Sequence, residues 1–515
     1  MELNVVAISV FIGLFSVITV LGVVSANWRR GDLSHLHEWG LGGRQFGAWI
    51  TWFLIGGDLY TAYTFIAVPA LVFGAGALGF FALPYTVLVY PMVYSLLPKL
   101  WTVARERNCV TAADLVVSRF GSPGLALAVA VTGIVATLPY IALQLVGIQV
   151  VIAGLGFPTH GPLAELPLFG AFGILATFTY VSGLRAPASI AVVKDLLVYV
   201  TVAAMIVVIP LRLGGFAKIF AMVPEKLLLL PHGSGGSIGD ASYYGSLALG
   251  SAMALMFYPH ATTAVLAAKS PDTLRRNCVF LPAYSFVLGL IALLGFVARV
   301  ARVDKDPVLA PYFGAYKAQF AIPGLLLHYF PAWFVGVGFA AIAIGALVPA
   351  AIMSIAAANL FTRNIYKTYV NPGCSPAHET TVAKVTSLVV KFGALAFVMN
   401  FPLTYAIQLQ LLGGILILQT LPAIVFGIYT DRFGAKSLLL GWTAGIAWST
   451  WAGSLSGFTG SMYVLHVGRW SFSGYIGLFA LMLNLVTCLT VSLAFRVVSP
   501  VKRPSTAAID RKPME

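Results

Sequence analysis

Apolar runs of twenty or more residues recur along this chain, from about Val5–Ala26 to about Ser473–Phe495. A helix needs about 20 apolar residues to cross the hydrocarbon core of a bilayer. Inside that core every backbone polar group must be paired, so only helices and closed barrels span it. Barrel strands alternate with period two, and these runs do not. Only 9% of the residues are charged and 59% are hydrophobic, far too few charges for the surface of a soluble protein this long. The chain reads as an all-α polytopic membrane protein, with no stretch left over for a separate soluble domain.

The net charge of +14 invites a nucleic-acid reading, but its distribution argues against one. Roughly 22 of the 31 Lys and Arg fall on one set of alternating loops, about 8 on the other, and Lys391 inside a span. That asymmetry places the basic loops in the cytoplasm. About thirteen spans fit, with the N-terminus outside, Arg29 and Arg30 following the first span, and the C-terminal tail inside. The N-terminus lacks the basic region of a signal peptide. Cys109, Cys278, Cys374 and Cys488 fall in cytoplasmic loops or spans, so no structural disulfide is expected.

Two spans carry interruptions. The second, about Phe46–Phe73, holds Gly56-Gly57-Asp58 at its centre. Two glycines weaken a helix interior by roughly 1 kcal/mol each relative to alanine, and a carboxylate at membrane depth costs roughly 2.5–3.5 kcal/mol or more. The seventh, about Ser242–Ala268, is interrupted at Tyr258-Pro259-His260, where proline removes a backbone hydrogen bond. The ninth, about Trp333–Leu360, carries Gly345 to Pro349 near its middle. Breaks at matching places in oppositely oriented halves point to an inverted repeat with its site at the bilayer midplane. The chain then divides into residues 1–44 (an extra helix and a loop), 45–213 (first repeat), 214–240 (external loop), 241–430 (second repeat) and 431–515 (two further helices and a tail). On the cytoplasmic side, Thr111 reads as the N-cap of a surface helix.

Asp58 stands out as the acid deepest in a span and His260 as the corresponding histidine, each beside a break. An aspartate bonded in the protein interior and a satisfied core histidine are the plain alternatives. Lys194 and Lys391 lie about two turns inside cytoplasmic helix ends, from which long stems can snorkel to water. Turned inward, either is a fixed cation able to pair with Asp58 or hold a carboxylate. Tyr60, Tyr140, Gln144, Tyr258, Gln408 and Gln410 are candidates to meet a small polar solute, or simply to line helix interfaces. No nucleotide loop, metal-ligand cluster or nucleophilic triad appears, so no cofactor, no metal and no enzyme activity are expected.

The runs GLGGRQFGAWITWFLIGGDLYTAYT (Gly40–Thr64), GLRAP (Gly183–Pro187), YPHATTAVLAAKS (Tyr258–Ser270) and AAANLFTRNIYK (Ala356–Lys367) resemble the sodium:solute symporter family. The resemblance implies the leucine-transporter fold, a five-plus-five inverted repeat, here with one extra N-terminal and two extra C-terminal helices. Within the family the chain is most similar to the bacterial monocarboxylate permeases, through PYIALQLVGIQ (Pro139–Gln149) and SLVVKFGALAFV (Ser387–Val398). That similarity implies inner-membrane import of lactate, pyruvate, acetate or related acids, alanine among the candidates.

One departure matters. By the resemblance, sodium is held by carbonyls at the first break and by two hydroxyl residues on the ninth span. Val348 and Pro349 stand where those hydroxyls belong, and Ile190-Ala191 replace a Thr-Asp pair at the start of the sixth span. Gly56, Leu59, Gly345, Val348 and Pro349 therefore read as a vestigial cation site, with Lys194 a candidate to fill it. The expectation is a proton-coupled or sodium-independent monocarboxylate importer. Substrate would bind the exposed N–H groups at Gly56-Gly57, and Asp58 would carry the proton, with Lys194 and Lys391 as further coupling candidates. A sodium-coupled symporter of a small organic solute is the alternative, and a transporter-like sensor a more distant one.

Overall fold

The computed structural model describes residues 3–27, 31–158, 162–230, 240–400 and 406–498. Arg29, Arg30, the turn expected around Phe401-Pro402 and the tail from residue 499 lie outside them. Nine helices among the described residues are long and apolar enough to cross a membrane. This is fewer than the thirteen spans read from hydropathy: some of those are divided into shorter helices, and the single helix Ala435–Ser454 is not among the nine.

The first helix, α1 (Val5–Val24), packs on the later helix α19 (Ala332–Phe361), where an added Cβ on Gly336 would lie 2.6 Å from the Ala7 carbonyl. Small residues at such crossings let backbones approach where no water drives association. A short helix, α2 (Leu36–Leu41), leads into the first interrupted span, α3 (Ala48–Gly56) and α4 (Val68–Ala75). The third span is also divided, into α5 (Ala82–Leu88) and α6 (Tyr90–Glu106). Next comes the surface helix α7 (Ala112–Phe120), which Thr111 and Asp114 close with a reciprocal capping box. The chain continues through α8 (Pro123–Gly154), α9 (Pro162–Ser182) and α10 (Arg185–Leu213).

The described part of the segment expected as a plain external loop, 214–240, is partly helical: α11 (Phe216–Met222) and α12 (Glu225–Leu228). The second interrupted span is α13 (Asp240–Leu255) and α14 (Pro259–Leu266), followed by α15 (Pro271–Phe280) and α16 (Pro282–Val300). Two short helices, α17 (Ala310–Tyr316) and α18 (Ala321–Tyr329), precede α19. Then come α20 (Pro376–Asn400), α21 (Ala406–Ile417), α22 (Leu421–Tyr429) and α23 (Ala435–Ser454). An antiparallel hairpin, β1 (Met462–Val467) with β2 (Trp470–Tyr475), comes before α24 (Ile476–Val498). The hairpin is absent from the hydropathy reading. Its signal was available, two alternating runs joined by Gly468-Arg469, with Gly468 at a φ of 60°.

The core sits between α8 and α19. Gly338 through Leu360 are buried without exception, as expected of a helix apolar on every face. Hydrogen bonds from Phe46 N–H to Ala267 and from Lys269 N–H to Phe46 join the start of α3 to the end of α14. The two interrupted helices are thus tied together on the side carrying the basic loops. On the opposite side Tyr475 donates from its hydroxyl to the Leu411 carbonyl at 2.6 Å, its ring filling the space left by Gly250 on α13.

Candidate functional site

Helix α3 stops where its glycines stand. Gly57 still donates to Phe53, but Gly57 through Thr61 leave the helix before a wide turn at Tyr63–Ala67 re-enters it. The unwound stretch is held from outside. Gln144 on α8 accepts the Ala62 N–H on its side-chain oxygen at 3.0 Å, while its amide donates to the Tyr140 carbonyl. Gln144 therefore braces the break and is not free to meet a solute. The N–H groups of Asp58 and Thr61 have no acceptor among the described residues. Gly56 has no room for a side chain, since a Cβ there would fall 2.1 Å from the Tyr284 ring.

The second break is set by Pro259, which opens α14 at its first position. The first N–H groups of a helix have no intrahelical partner. At α14 those of His260 and Ala261 have no acceptor among the described residues, because Pro259 has none and Thr262 donates back to Tyr258.

On one side of the first break, Asp58 and His260 meet. Nε2 of His260 lies 3.1 Å from Oδ2 of Asp58, yet the ring is not aligned for a hydrogen bond. Both His260 nitrogens and the Asp58 Oδ1 have no hydrogen-bond partner among the described residues. His260 is wholly buried and Asp58 is 6% exposed. The rings of Tyr140 and Tyr258 each stand 5.3 Å from the imidazole. The Tyr258 hydroxyl donates to the Gln410 carbonyl at 2.8 Å, while the side-chain oxygens of Gln408 and Gln410 remain unpartnered. Phe257, Pro259, Thr262 and Thr263 line a small cavity of about 20 Å³ that Thr111 and Thr420, on the basic-loop side, also line.

The other side of the break holds a different cluster. Lys194 on α10 donates to the Gly57 carbonyl and to the Tyr60 carbonyl at 3.2 Å, and its ammonium lies 3.1 Å from Oδ1 of Asp195, close enough for an ion pair but outside hydrogen-bond geometry. The Tyr284 hydroxyl donates to Oδ2 of the same aspartate. Tyr60 belongs here too, donating to the Tyr284 carbonyl and packing on Tyr199 and Tyr284, away from Asp58. Lys194 and Asp195 are fully buried, so the lysine does not snorkel. Asp195 is not among the candidates read from the sequence; its position next to a lysine on an otherwise apolar span is the signal that could have found it.

The carbonyls that meet the ammonium are not the expected ones. Gly56 O accepts the Leu59 N–H and Leu59 O accepts the Thr64 hydroxyl, so both are engaged within the chain. Gly57 and Tyr60, each one residue further on, supply the carbonyls instead. Gly345 faces them, its Cβ position 3.8 Å from Tyr60 O, and Val348 and Pro349 lie buried in an unbroken α19. Lys391 is also buried, but elsewhere. It donates to Ser387 Oγ at 2.7 Å and to the Ser387 carbonyl, and Ser387 bonds Ser354 on α19. Lys391 meets neither Asp58 nor Lys194. Among the described residues no group of three or more His, Cys, Asp or Glu is placed to hold a metal ion.

Two interrupted helices meeting around unpaired polar groups inside a helical membrane bundle define a transporter of small solutes. The sodium:solute symporter family matches residues 39–445, and the chain belongs to that family. It is a symporter-class membrane transporter and not an enzyme. A "Monocarboxylate transport permease protein" of Rhizobium johnstonii is 50% identical over 97% of this chain and 99% of its own length. An "Uncharacterized symporter YodF" of Bacillus subtilis is 36% identical over 92% of each chain. A solved structure of a Na⁺-coupled sialic acid symporter, substrate-bound and outward-open, superposes with a TM-score of 0.77. It covers 95% of this chain and 98% of its own at 15% identity, a likeness of fold alone.

Proposed function

We propose that this protein imports small monocarboxylates such as lactate, pyruvate or acetate across a bacterial inner membrane by alternating access, coupled to protons and independent of sodium. The N-terminus is outside and the C-terminus cytoplasmic, so the cavity beside Pro259 opens inward. Residues 45–213 and 241–430 act as the two inverted repeats, and each contributes one interrupted helix to the site. The relative in Rhizobium johnstonii supports the substrate class.

The observation that carries the coupling reading is Lys194. Its ammonium rests on two carbonyls of the unwound segment and on a carboxylate, an oxygen set of the kind a monovalent cation requires. A tethered positive charge there leaves no place for sodium. Substrate binds instead at the free N–H groups of Asp58 and Thr61 and at the start of α14, where the helix dipole favours an anion. An ionised Asp58 repels that anion and a protonated one does not. Proton and substrate therefore strengthen each other's binding.

Proteoliposome uptake of labelled lactate, with sodium and the pH gradient varied independently, tests this. Accumulation should follow an alkaline interior and survive replacement of sodium by choline. A requirement for sodium would overturn the coupling and leave the substrate class standing; no uptake under any gradient would overturn the substrate class.

A further inference from the structure

Asp58 and His260 stand at ion-pair distance but not in hydrogen-bond geometry. They approach to 3.1 Å, yet both ring nitrogens and one carboxylate oxygen find no hydrogen bond. Buried polar atoms are paired in the great majority of cases, so three unpaired ones in a single contact mark a place held for something else. The helix ends add direction. Asp58 follows the C-terminal end of α3, which disfavours an anion, and His260 lies in the first turn of α14, which favours one. A carboxylate beside His260 is better placed at the start of α14 than on the residue that now supplies it.

We infer that the Asp58 carboxylate is an internal counterpart of the substrate, standing beside His260 where a monocarboxylate binds, and that a proton on Asp58 releases the imidazolium to the incoming acid. The inference rests on the monocarboxylate reading above and adds to it a partner exchange at one histidine. The proton adds to a carboxylate oxygen of Asp58, turning it from acceptor to donor. The substrate anion then takes the imidazolium and the free N–H groups of His260 and Ala261.

Charge balances at each stage. Asp58 as an anion beside a protonated His260 sums to zero; neutral Asp58, protonated His260 and one bound anion also sum to zero. A second carboxylate on the substrate, or an ammonium as in alanine, would leave an unpaired charge in a buried site, and burying such a charge is prohibitive. The exchange therefore selects acids carrying one negative charge and sets one proton per molecule. The groups facing the pair are Tyr85 on α5, Tyr140 on α8 and Tyr258 ahead of α14, all phenols, while Lys194 and Asp195 lie beyond Gly57 on the far side of the break, paired with each other.

The test is equilibrium binding of labelled pyruvate to the purified full-length protein between pH 5.5 and 8, with proton uptake read by an indicator dye in weak buffer. The wild type should bind more weakly as pH rises, by up to about tenfold per unit where Asp58 is ionised, the limit set by one linked proton. It should take up one proton per pyruvate. Asp58→Asn lacks the internal competitor and should bind pyruvate more tightly than wild type at the acidic end of this range, where an imidazole carries its proton. His260→Gln, nearly isosteric, should lose at least tenfold in affinity while melting at the wild-type temperature. Asp58→Asn binding no tighter than wild type at the acidic end, or unchanged binding by His260→Gln, overturns the exchange while the monocarboxylate reading stands. No pyruvate binding by wild type at any pH overturns both.

Discussion

The two faces of the first break carry the same kinds of group and differ in how completely those groups are satisfied. On one face an acid and a base, Asp195 and Lys194, stand 3.1 Å apart within a lattice of carbonyls and a tyrosine hydroxyl. On the other, an acid and a base at the same 3.1 Å, Asp58 and His260, leave most of their hydrogen-bonding capacity unused. Lys194 bonds two carbonyls and Asp195 accepts from Tyr284 on Oδ2, leaving only Oδ1 without a hydrogen bond; a buried pair anchored in this way holds parts together, because losing one partner strands a charge. An unsaturated pair is held in place by its surroundings and remains able to take a ligand. The first fixes the unwound segment to α10 and α16, and the second is the place proposed for solute.

The sharpest way to break this contrast is Lys194→Met. It should destabilise the protein by about 3–5 kcal/mol, because Asp195 is left as an uncompensated buried charge. Thermal melting in detergent would read the loss, and Lys194→Met with Asp195→Leu should recover much of it. Asp58→Asn in the same assay should shift stability by no more than about 1 kcal/mol, near the value of one ordinary hydrogen bond. Comparable losses from the two single variants would erase the distinction.

Next is Gly56→Ala, whose Cβ would drive into the Tyr284 ring that orients a hydroxyl onto Asp195. Overpacking of this kind costs about 1–3 kcal/mol. Uptake should fall further than the melting temperature alone accounts for, because both faces are disturbed together. Gln144→Ala removes the acceptor of the Ala62 N–H and should cost about 1–3 kcal/mol, the penalty of a stranded buried donor. Thermal melting and initial uptake rates would measure it. At the small end, Arg275→Ala breaks an exposed pair with Asp272 on α15 and should change stability by less than about 0.5 kcal/mol, which chemical denaturation or melting would verify. A large loss there would mean that burial is not what separates strong pairs from weak ones in this protein.

Much of this was legible in the chain. Both breaks fall where glycines or proline meet a lone ionisable residue, since local backbone chemistry decides where a membrane helix fails. The capping box at Thr111 and Asp114 was readable for the same reason. What stayed hidden depends on which elements meet. Asp195 follows Lys194 near the start of an apolar span and reads as a helix-end pair; its burial comes from α3 and α16 closing over α10. Gln144 reads as a solute ligand until the unwound Ala62 N–H is found against it. The carbonyls that meet Lys194 lie one residue beyond those expected, because the path of an unwound segment is set by its neighbours and not by helical spacing.

A mobile sodium ion in a transporter is both glue and fuel: it steadies an unwound segment, then leaves down its gradient and drives the cycle. The Lys194 ammonium is covalently attached and keeps only the first of these roles. Held by the Gly57 and Tyr60 carbonyls, it cannot leave down a gradient as an ion can. On the coupling proposed above, the driving force enters as hydrogen ions, and a cell that collapses its pH gradient while keeping its sodium gradient should lose accumulation by this carrier while the protein stays folded.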